Sequence, residues 1–139
     1  MAALAGQTRI GLGDEQSRYE VGALGKVWID QAHVLLQGEG DYIRQQISGA
    51  SFGQNQFVSF IGATGFMRGF MATAAYERFQ SDLSVRGTAR VAYDLEANFF
   101  PWAHIELVLL GRYQVAGVAN DGRDNGTGSL LMFQFHYYM

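Results

Sequence analysis

Apolar and polar residues alternate with period two through most of the chain, and no useful length repeats at helical spacing. Strands are predicted near residues 4–12, 18–29, 32–42, 57–67, 70–80, 88–99, 103–114 and 127–138, separated by clusters of Gly, Asn, Asp and Ser. In 88–99, Ala89, Val91, Tyr93, Leu95, Ala97 and Phe99 share one face, and Arg90, Asp94, Glu96 and Asn98 share the other. In 103–114, Ile105, Leu107, Leu109 and Tyr113 alternate with His104, Glu106, Arg112 and Gln114. The last strand sets Leu131, Phe133, Phe135, Tyr137 and Met139 against Gln134, His136 and Tyr138. Strand 18–29 sets Tyr19, Val21, Ala23, Val27 and Ile29 against Glu20 and Lys26. The contrast fades in 57–67 and in 70–80, where Ala72, Ala74 and Ala75 blur it, and 4–12 offers only Leu4, Thr8, Ile10 and Leu12.

The connections carry a second pattern. Asp30-Gln31, Arg68-Gly69 and Phe100-Pro101-Trp102 are predicted as tight turns, while 13–17, 43–56, 81–87 and 115–126 are longer and polar. Short and long connections alternate strictly, which is the asymmetry of outer-membrane barrels and serves no purpose in a soluble meander. With eight strands both termini fall at the short-turn end. The segment 43–56, rich in Gln, Ser, Gly and Asn, is predicted as a flexible surface loop.

Alternation alone does not say which face is buried, since a soluble sandwich alternates too. The aromatics decide it. Trp28, Phe66, Phe70, Phe99, Phe100, Trp102 and Tyr137 all fall beside the tight turns or the C-terminus. Tyr19, Tyr42, Phe57, Phe79 and Tyr113 fall near the long connections. Two such rings at two depths are the girdles that membrane barrels place at the lipid–water boundary. Composition agrees: 17% of the 139 residues are charged, below the roughly one quarter usual in soluble domains. There is no apolar run of about 18 residues, so no membrane helix is expected, and strands must carry any spanning surface. The net charge of −3 gives no electrostatic footprint for nucleic acid. The expectation is all-β: one domain over 1–139, an antiparallel up-and-down transmembrane β-barrel of about eight strands.

The ending Leu131-Met132-Phe133-Gln134-Phe135-His136-Tyr137-Tyr138-Met139 resembles the C-terminal signature of bacterial outer-membrane β-barrel proteins. In that family apolar residues recur at every second position back from the terminus, and Leu131, Phe133, Phe135, Tyr137 and Met139 fit that spacing as an assembly signal, with Met where Phe or Trp is usual. The resemblance implies outer-membrane localisation, lipid and the barrel-assembly machinery as partners, and closure of the barrel on this strand. It names an architecture rather than an activity. Met1 to Gly6 has neither the basic region nor the apolar core of a secretory signal. An exported barrel would then be represented by a mature form or by the C-terminal part of a larger one.

Alternation assigns Arg9, Lys26, Glu39, Glu77, Arg90, Asp94, Glu96, Glu106 and Arg112 to the lumen. An eight-stranded barrel is only wide enough for side chains, so these charges must be paired or hydrogen-bonded. Counting across the connections sets Glu77 opposite Arg90, Arg90 near Arg112, and Glu96 near Glu106. A plug of salt bridges is the first expectation, and a narrow ion path the sharper one. Glu96, His104, Glu106 and His136 gather at the short-turn end, but their spacing fits no metal motif, and no metal or other cofactor is expected. Ser17, Ser48, Ser51, Ser81 and Ser84 lie at the end opposite the histidines, so no nucleophile–base pair forms and no enzyme is expected. Asp121, Asp124 and Asn125 read as turn residues rather than calcium ligands. Function is then expected in the external loops, structural or binding an envelope protein. The competitors are a channel-forming barrel, a soluble lipocalin-like carrier of apolar ligands, and one subunit of a barrel shared between chains.

Overall fold

The computed structural model describes residues 2–5, 16–47, 53–117 and 126–139, with no side chains described for 2–5, 16, 17 and 47. They form one antiparallel eight-stranded sheet in strict chain order: β1 (Ala2–Ala5), β2 (Gln16–Ile29), β3 (Val34–Ile47), β4 (Gly53–Met67), β5 (Phe70–Gln80), β6 (Ala89–Trp102), β7 (Ile105–Ala116) and β8 (Gly128–Tyr137). Seven strands are long and β1 has four residues. The only helical element among the described residues is a 3-10 turn, Asp30–Ala32. The chain is thus all-β and up-and-down, as the alternation predicts. No ladder joins β8 to β1 among the described residues. The expected strand 4–12 is described only to Ala5, and its remainder lies outside the described residues.

Two expected connections are corrected. The polar stretch 43–56 is largely strand, because Ile43, Arg44, Gln45 and Gln46 pair with Gln56, Asn55, Gln54 and Gly53. Backbone pairing does not need apolar side chains, and polar ones here extend the ladder beyond the apolar band. The Phe100-Pro101-Trp102 turn is also absent: β6 runs through Trp102, and the reversal falls at Ala103-His104. The register shifts between Phe99 and Trp102, which lets the single proline sit at an irregularity instead of in the regular ladder. Arg68-Gly69 is a tight turn as expected, with Gly69 at φ 73, where a side chain would be strained.

Directly paired residues share a face, so the register sorts every side chain. One face carries Val21, Val27, Leu36, Ile61, Ala74, Leu95, Leu109, Leu131, Phe133 and Phe135. The other carries Lys26, Glu39, Glu77, Asp94, Glu96, Glu106 and Arg112. The apolar face is the exposed one: Leu131 is 76% and Leu95 66% accessible. The polar face is sheltered, with Asn98 at 2% and Ala92, Val108 and Thr64 also buried. A sheet curled about its polar side produces this asymmetry.

Candidate functional site

The polar face holds the candidate chemistry. Arg112 is its centre. Its guanidinium reaches Glu77 Oε2 at 2.5 Å and Asp94 Oδ2 at 3.2 Å, tying β5, β6 and β7 together. Asp94 stands directly across from Arg112 in the ladder, and Glu77 comes from two strands away. The fork of arginine suits two carboxylates at once. Asp94 Oδ1 is buried and has no hydrogen-bond partner among the described residues. Glu77 and Arg112 keep 41% and 36% of their side-chain surface accessible, so this cluster borders space rather than filling it. Hollows of about 200 and 210 Å³ flank it, the first lined by Glu77, Phe79, Arg90 and Gln114.

The expected neighbours are therefore revised. Glu77 pairs with Ala92 rather than Arg90, Arg90 with Ala116 rather than Arg112, and Glu96 with Leu110 rather than Glu106. The later reversal at Ala103-His104 and the irregularity before it move the β6–β7 register, and like charges no longer meet. Glu96 accepts a 2.7 Å bond from Asn98 Nδ2. Glu106 meets His136 Nδ1 at 3.0 Å and accepts a hydrogen bond from the Tyr138 hydroxyl. His104 lies exposed in the turn, and its carbonyl accepts a 2.9 Å bond from the Tyr138 amide. Among the described residues no three His, Asp or Glu side chains converge as a metal site. Lys26 and Glu39 share the polar face, on β2 and β3. Arg9, Ser48, Ser51, Asp121, Asp124 and Asn125 lie outside the described residues.

The aromatics separate by face. Phe70 pairs with Phe99 and Phe99 with Leu107, and Leu107 with Phe135, a row on the apolar face near the tight turns. Tyr137 and Trp102 join that face, both facing Ile105, and the β6 irregularity is what turns Trp102 outward. Phe100 lies within the irregularity and donates its amide to Gly69 O at 2.8 Å. Trp28 and Phe66 belong instead to the polar face, since Trp28 pairs with Leu35 and Phe66 with Met71. Their rings meet at 5.5 Å, and Trp28 Nε1 donates to Asp30 Oδ1 at 2.6 Å. Phe79 is likewise on the polar face, paired with Arg90. The second row on the apolar face is Tyr76, Tyr93 and Tyr113, each paired with the next; of these only Tyr113 is in the expected ring, Tyr93 is expected on this face but not in that ring, and Tyr76 in neither. Its strand's weak contrast hid it, although its parity with Ala72 and Ala74 places it with them.

Beyond the tyrosine row the connection from Ser81 to Thr88 is tightly bonded. Asp82 Oδ1 accepts from the Ser84 amide and hydroxyl, and those bonds hold its carboxyl below the usual carboxylate range. Leu83 N donates to Asn55 O, and Gln54 Nε2 to Ser81 O, which anchors this loop to β4. No known family model, characterised relative or solved structure matches the chain.

Proposed function

We propose that the chain is an integral bacterial outer-membrane β-barrel protein, its apolar face against lipid and its polar face around a lumen crossed by a charge network. Its role is structural or lies in binding through the long-connection end. The observation that carries this is the sorting of charge. Every Asp and Glu in β2 to β8 lies on the sheltered face: Glu20, Glu39, Asp41, Glu77, Asp94, Glu96 and Glu106. Among the described residues, the exposed face between the phenylalanine and tyrosine rows has no charged residue. A lipocalin-like carrier would reverse that arrangement, burying the apolar face and wetting the charges. The bonded 81–88 connection offers a shaped surface with Leu83 and Val85 exposed, suited to an envelope partner.

A channel is the second reading, and the accessible Glu77–Arg112 pair beside two hollows favours it. Heat-modifiable gel mobility after refolding into lipid vesicles, run alongside planar-bilayer conductance, tests both. A mobility shift without conductance supports the closed barrel, and a shift with stepwise conductance supports the channel. A monodisperse chain in plain buffer, with no shift, overturns the membrane assignment.

A further inference from the structure

The apolar face is not smooth. Between its aromatic rows lies a trough of about 620 Å³, floored by Ala63, Gly65, Ala72, Ala97 and Gly111, with Leu131 on its wall. A second hollow of about 340 Å³ continues it past Ile61 to Tyr76, sharing Ala63 and Ala74. One step further along the same face of β5 stands Arg78, exposed. Arg78 makes one hydrogen bond, 2.9 Å to Gln80 Oε1, and no ion pair among the described residues. A cation, a tyrosine and an apolar trough thus follow one another along alternate positions 78, 76, 74 and 72.

We infer that this strip binds a membrane lipid with an anionic phosphate headgroup, its phosphate at Arg78 and one acyl chain in the trough. This rests on the membrane assignment above and adds a lipid preference to it. The dimensions agree. From Arg78 to Ala72 the strand rises about 20 Å, or about 15 Å of depth at a tilt of ~40°. Ala72 stands one alternate position short of Phe70, so the strip runs from beyond the tyrosine row nearly to the phenylalanine row, a length along which an acyl chain can lie. The charge agrees too. The described strand positions on this face carry no Asp or Glu, so the apolar surface itself offers Arg78 no counter-charge. An anionic lipid supplies both the counter-charge and the apolar chain that fills the trough.

The test is native mass spectrometry of the refolded, detergent-solubilised chain with phosphatidylglycerol or phosphatidylcholine of identical acyl chains. The expected result is stronger retention of phosphatidylglycerol, reduced about fivefold by Arg78→Gln with phosphatidylcholine unaffected. Ala74→Phe, which fills the trough, lowers retention of both lipids. Arg44→Gln removes the same charge from the same face away from the trough and leaves retention unchanged. Equal retention of the two lipids overturns the inference, and so does an equal loss from Arg44→Gln and Arg78→Gln. Insertion into vesicles with a heat-modifiable shift is checked first for each chain. Failure of the unmodified chain to insert overturns the membrane assignment itself, whereas an inserted chain without headgroup preference overturns only the lipid site.

Discussion

At the scale of single residues, parity along the strand decides what each side chain can do. Trp28 shows this. Its neighbours Val27 and Ile29 are on the apolar face, so Trp28 points the other way, and proximity to a turn alone gave the wrong face. Arg112 shows the energetics. Replacing it with Gln leaves the Glu77 and Asp94 carboxylates facing one another without a cation. All three groups are partly screened by solvent, so the expected loss is about 1–2 kcal/mol in urea unfolding from lipid vesicles. Arg112→Lys recovers less than half, because one ammonium cannot hold both carboxylates with the geometry of a fork. Asp82 supplies a titration outside the strands. Its folded pKa lies below the reference 3.8, so its contribution to the loop is full above that value and is lost as pH falls through the folded pKa. The Ser84 amide shift followed by NMR should therefore titrate with a midpoint below 3.8, and that inflection should vanish in Asp82→Asn.

At the scale of elements, turns and register carry most of what the sequence left open. Strands β7 and β8 follow the alternation within a residue or two because their apolar sets are strict, whereas β5, whose contrast is weak, is bounded by the Arg68-Gly69 turn and the polar run after Gln80. The β6 end was not legible. Pro101 beside two aromatics looks like a turn, but an irregular strand also tolerates proline, and the choice between them depends on pairing with β7. That one choice displaced two expected charge contacts, Arg90 with Arg112 and Glu96 with Glu106. The polar ends of β3 and β4 were hidden for a related reason: hydrogen bonding between strands leaves no hydrophobic trace. The β4–β5 hairpin gives a direct check. Gly69→Val forces a β-branched side chain to positive φ, with a Cβ 3.4 Å from Phe100 O. It is expected to cost about 1–2 kcal/mol and to slow refolding into vesicles, while Arg68→Ala beside it has little effect.

For the whole molecule, the account rests on which way the sheet curls in its native setting. The sequence told the two faces apart and their aromatic borders in outline. Alternation alone could not say which face is sheltered, because it is symmetric between a soluble barrel and one in lipid, and that expectation rested on the aromatics beside the turns. Leu109→Lys, at mid-strand on the apolar face, is expected to cost about 2–4 kcal/mol of stability in vesicles. Gln134→Lys on the polar face serves as the paired control and should insert normally. The most direct measurement uses the absence of cysteine in the chain, which makes any introduced thiol unique. Spin labels placed singly along β7 and β8 in vesicles report collisions with oxygen, which concentrates in lipid, and with a water-soluble nickel chelate. The account predicts oxygen-dominated labels at positions 107, 109, 131, 133 and 135, alternating with reduced oxygen access at 108, 110, 132 and 134. The opposite alternation, or nickel access along the whole of β8, would contradict it.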